Sequence, residues 1–100
     1  MEQDIRLTYT AFDQDATRHF SSLFNEFSIA AESLASDAGD NAFQLLRGKY
    51  LSLLKQKLDQ SAHTIMSQAE KPETLGRLRI NFSERITFFQ KEFTRRSGLL

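Results

Sequence analysis

Between Asp40 and Ala69 the apolar positions Phe43, Leu46, Tyr50, Leu53, Leu54, Leu58, Ala62, Ile65 and Ala69 recur at steps of three and four, with no proline among them. That spacing lays one apolar stripe along an α-helix. The preceding chain repeats the pattern through Ile5, Tyr9, Phe12, Ala16, Phe20, Leu23, Phe24, Phe27, Ala30, Ala31 and Leu34. The following chain does so through Leu75, Leu78, Phe82, Ile86, Phe89 and Phe93, a narrower stripe close to a coiled-coil seam. Valine is absent and no apolar–polar alternation is sustained, which argues against strands.

The breaks between the stripes carry turn chemistry. In Ser36 to Asp40 (SDAGD), Gly39 is suited to a positive φ that ends the first helix, and Asp40 to capping the second. At the second break, Pro72 lacks a backbone donor, disfavours helix at Lys71 and suits the first turn of a new helix, with Glu73 beside it. The firm helices are therefore expected at about residues 11–36, 41–69 and 72–96, the first with apolar spacing that reaches back toward Asp4. Thr10 and Asp13 resemble a loose capping box, and Asp13 and Asp15 suit the positive end of the first helix dipole. Gly48 costs its helix about 1 kcal/mol relative to alanine, which points to a close approach by a neighbouring helix. Arg95, Arg96 and Gly98 suit the end of the third helix. Three long helices joined by two short connections predict an all-α, antiparallel three-helix bundle over residues 1–100, a single domain that self-association would help to bury.

Composition fits that expectation. With 40 % apolar and 26 % charged residues the chain is not a disordered segment. It has no cysteine, which excludes disulfides, a thiolate nucleophile and a cysteine zinc site, and suits a reducing compartment. The N-terminal segment is acidic and polar rather than basic and then apolar, and no apolar run exceeds three residues. A cytoplasmic protein with no membrane span is expected.

The search for chemistry yields little. His19 and His63 are the only histidines, and metal, nucleotide and nucleophile-elbow motifs are absent. The acidic pairs Asp13/Asp15 and Asp37/Asp40 lie near expected helix starts, where capping explains them. No catalytic residue, cofactor or metal is expected. His19 falls at the edge of its stripe, as a half-buried residue with a hydrogen-bond partner. His63 falls on the polar back of the second helix, beside Asp59 and Ser67. The run Ala62-His63-Thr64-Ile65 resembles the opening of the motif of histidine phosphotransfer domains, which carry a solvent-exposed phosphorylatable histidine on a helical bundle. That resemblance implies phosphotransfer through His63. The family then has Lys and Gly, whereas this chain has Met66 and Ser67.

Charge divides the chain. Residues 1–40 carry two basic and eight acidic side chains, residues 41–70 four and two, and residues 71–100 seven and three. Such asymmetry fits complementary neighbouring helices, or a basic face for nucleic acid or an acidic partner. Arg77, Arg85, Lys91, Arg95 and Arg96 spread around the third helix rather than along one side, and the acidic first third would repel phosphate. Nucleic-acid binding through this helix is thus the alternative rather than the leading reading. Arg79 and Arg85 flank the apolar stripe, where their stems can cover the core and their heads can meet carboxylates of the first helix. Apolar residues on the wrong face are more telling. Ile29, Leu45, Ile80 and Phe88 all point away from their stripes on a helical wheel. Phe88, Ile80 and Leu45, with Arg85, are the candidate partner-binding residues of a non-enzymatic interaction module: an adaptor, a secretion-type chaperone or a regulatory binding protein. Its partner would be another protein or a second copy of itself.

Overall fold

A computed structural model describes residues 5–34, 39–69 and 71–99. They form three helices, α1 (Ile5–Glu32), α2 (Gly39–Met66) and α3 (Pro72–Ser97), with no strand among the described residues. The order is up-down-up. Phe12 stacks on Phe82 at 4.3 Å and Phe27 meets Phe93 at 5.4 Å, so α1 and α3 run parallel. Phe27 also meets Phe43 and Tyr50, while Asp15 accepts from Ser61, so α2 runs against α1. The bundle is a rod of 59 × 18 × 17 Å.

Most of the fully buried apolar side chains come from α1 and α3, and α2 packs along both. Phe12, Ala16, Phe20, Leu23 and Phe27 from α1 interlock with Leu78, Phe82, Ile86, Phe89 and Phe93 from α3. Helix α2 adds Leu54, Leu58 and Ala62 at full depth, with the buried Ser61 beside them. Its other stripe residues, Phe43, Leu46, Tyr50, Leu53, Ile65 and Ala69, are half-buried. On a wheel of about 100° per residue they spread over nearly half the helix circumference, more than two neighbours can cover. The most regular stripe in the sequence therefore does not mark the most buried helix. Each pair of helices is also joined by a side-chain hydrogen bond. Arg85 Nε donates to Asp13 Oδ1 at 2.9 Å, Ser61 Oγ to Asp15, and Arg47 Nη1 to Ser97 Oγ at 3.4 Å.

Helix ends depart from expectation in ways that local bonds explain. Helix α1 already runs at Ile5, so Thr10 is not a cap; its hydroxyl donates to the Arg6 carbonyl within the helix. Asp13 and Asp15 consequently lie well past the first turn. At the other end α1 stops at Glu32, because Ser33 N–H splits between the Ile29 and Ala30 carbonyls and Leu34 bonds back only three residues. Gly39 has the expected positive φ, 79°, but at the head of α2, which leaves Asp40 inside the first turn rather than capping it. Asp37 lies outside the described residues. Helix α2 ends at Met66 instead of residue 69, where Gln68 and Ala69 bond three residues back and Ser67 Oγ takes the Thr64 carbonyl. Pro72 opens α3 after an extended Lys71, as expected. Gly98 ends α3 at φ −70°, so no left-handed glycine is used there. The space beside Gly48 is open, with nothing within 4 Å of where a Cβ would stand, so no neighbouring helix requires glycine there.

Candidate interaction surface

Helix α3 presents two consecutive phenylalanines to different surroundings. Phe89 is 7 % exposed and packs against Phe20. Phe88 is 49 % exposed and lies outside the core. Its ring is nonetheless supported. Phe89 meets it edge-on at 5.6 Å, and the Arg85 guanidinium sits 4.9 Å from its centroid and 5.5 Å from that of Phe89. The same guanidinium is tied to Asp13 on α1, which holds it over the rings.

The four candidate residues do not form one patch. Phe88 and Arg85 touch. Ile80, 65 % exposed, lies two turns before Phe88 on the outer side of α3. Leu45, 68 % exposed, is on the back of α2 near the other end of the rod. The Arg47–Ser97 bond fixes that end, and Ser97 stands about 25 Å from Ile80 by the helical rise. Leu45 is thus an isolated apolar side chain, of a kind common on surfaces. Leu7 and Leu99 are also exposed but were not among the candidates. Leu7 precedes the residue at which the firm first helix was expected to start; continuing the wheel back from Phe12 would have placed it outward.

Several charged side chains on and near this face are engaged within the chain. Glu92 accepts from Arg95 Nε at 3.1 Å and Arg96 Nε at 3.0 Å. These bonds hold its carboxyl at about 2, below the usual 4.5, and Glu92 in turn raises Arg95. The Arg96 guanidinium also lies over the Phe20 ring at 5.1 Å. On α1, the Ser61 hydroxyl is the main influence lowering the Asp15 carboxyl; partial burial opposes it, and Arg18 and His19 add to it. His19 is half-buried with Nε2 3.5 Å from Asp15, the boundary role expected of it. His63 stands exposed on the open back of α2, among Lys55, Gln56, Asp59 and Thr64. Lys55 and Asp59 pair there at 3.5 Å.

Among the described residues, no three His, Asp or Glu side chains come together closely enough to hold a metal ion. No described helix is long and apolar enough to cross a membrane. No family model matches the chain, and no curated protein or solved structure does either.

Proposed function

We propose that this protein is a non-enzymatic helical interaction module that receives a helix of another protein, or of a second copy, on the outer face of α3. The observation that carries this reading is Phe88, a large ring kept out of the core yet held in place by Arg85 and Phe89. An exposed aromatic with few conformations left to lose is an economical anchor for a partner. Ile80 extends the apolar surface two turns along the helix, while the charge difference between α1 and α3 sets the partner's orientation. Adaptor, secretion-type chaperone and regulatory binding protein are the forms such a module takes. The cysteine-free chain suits a reducing compartment, and we assign it to the cytoplasm. Nucleic-acid binding is less well supported, because Arg85, Arg95 and Arg96 already face carboxylates of the same chain.

The test compares the wild type with Phe88→Ser as immobilised bait in native lysate, with helix content followed by circular dichroism. The expected result is a protein captured by the wild type and lost by the variant, at unchanged helix content. Equal capture by both, with self-association of the variant also undiminished, would end the reading. So would an unfolded variant, because Phe88 would then be core.

A further inference from the structure

We infer that the occupant of this face is a second copy of the chain, packed antiparallel along α3 so that Phe88 meets Phe88 and Glu84 of each copy faces Lys91 of the other. The inference rests on the reading of α3 above and names its partner.

The feature that points to it is a charge pattern. Glu84 lies one turn before Phe88 and Lys91 one turn after it, so both share its side of the helix. Both are exposed, and neither has an ion-pair partner among the described residues. Their neighbours Arg85, Glu92, Arg95 and Arg96 are all engaged within the chain. An aromatic flanked by one free anion and one free cation is self-complementary under a two-fold axis. Reversal about an axis between Thr87 and Phe88 carries Glu84 onto Lys91 and Lys91 onto Glu84, which is what an isologous contact requires.

The same charges oppose two other registers. A parallel pairing on Phe88 would set Glu84 against Glu84 and Lys91 against Lys91. Sliding the antiparallel copies until Ile80 meets Phe88 would again oppose Glu84 to Glu84, and would oppose Lys91 to Arg77. Like charges facing each other across a contact are unfavourable, so the Phe88-centred antiparallel register is favoured over both. One helix-on-helix contact is small beside the ~1,600 Å² of a standard interface, so the dimer is reversible and depends on concentration.

Sedimentation equilibrium over a concentration series tests this on the full chain. The wild type should associate to a dimer. E84K and K91E should each weaken association by about tenfold or more, the scale of a close charge pair turned repulsive. An equimolar mixture of E84K and K91E should associate again, because each variant supplies the charge the other lacks. The double variant E84K/K91E should recover alone. A role confined to folding would give neither recovery. The inference is overturned by a wild type that stays monomeric at every concentration, by association indifferent to E84K, or by a mixture no better than its components. If the wild type is monomeric and Phe88→Ser still loses a captured protein, this inference falls and the interaction module stands. If Phe88→Ser loses nothing in either assay, both fall.

Discussion

Phe88 and Phe89 are chemically identical neighbours with opposite fates. A step of about 100° around α3 separates a ring sealed against Phe20 from one lying half in solvent under an arginine. The difference comes from the geometry of three helices. Each has two neighbours and therefore one side that nothing covers. On α1 and α2 that side carries scattered leucine and isoleucine; on α3 it carries a ring supported by a cation and flanked by unpaired charges. The inner face of α3 specifies the fold, and the outer face is where a partner is expected.

The contrast is broken most forcefully from the inside. Phe93 is fully buried among Phe20, Phe24 and Phe27. Phe93→Ala should cost about 3–5 kcal/mol in denaturant unfolding, from lost burial and the cavity left behind. Phe88→Ser should change stability by no more than about 0.5 kcal/mol while altering association. Comparable losses from both would erase the distinction between the faces.

A second substitution acts on α2, the helix with the fewest fully buried side chains. With open space beside Gly48, Gly48→Ala should stabilise the protein by about 1 kcal/mol in the same unfolding assay. A destabilised variant would mean that something does approach α2 there.

The smallest effect concerns acid. The carboxyl of Glu92 sits at about 2 when folded and near its ordinary 4.5 when unfolded, so the pairing with Arg95 and Arg96 stabilises the fold above about pH 4.5. That contribution is lost as pH falls from 4.5 through 2. Asp15, also lowered, acts in the same direction. Thermal unfolding between pH 5 and 2 should therefore have a slope that Glu92→Gln flattens, modestly, because exposed ion pairs contribute little and salt screens them.

The three helices and their order were legible in the apolar spacing, since steps of three and four admit one secondary structure. The burial of Phe12, Phe27, Phe82 and Phe93 followed from the same stripes. The exposure of Phe88 and Ile80 was legible from the wheel too, and the position of Arg85 beside the α3 stripe anticipated its bond to a carboxylate of α1, although Arg79, placed alike, is exposed and makes no such bond among the described residues. Helix ends were not legible, because they turn on single bonds such as that of Thr10 to Arg6 or Ser67 to Thr64, available to many serines and threonines that do not make them. The depth of α2 was not legible either. A broad stripe reads as strongly apolar whether two neighbours cover all of it or half. Leu45 looked like part of the surface because a wheel records angle and ignores distance along the axis.

A rod 59 Å long and 18 Å wide has no middle in cross-section. Each layer of its core holds roughly one side chain from each helix and touches only the layers above and below, as in a stacked array. Cooperativity is therefore passed along a line. Amide protons should exchange fastest at the two tips and slowest around Phe20, Phe89 and Leu54, with protection rising by layers toward that point.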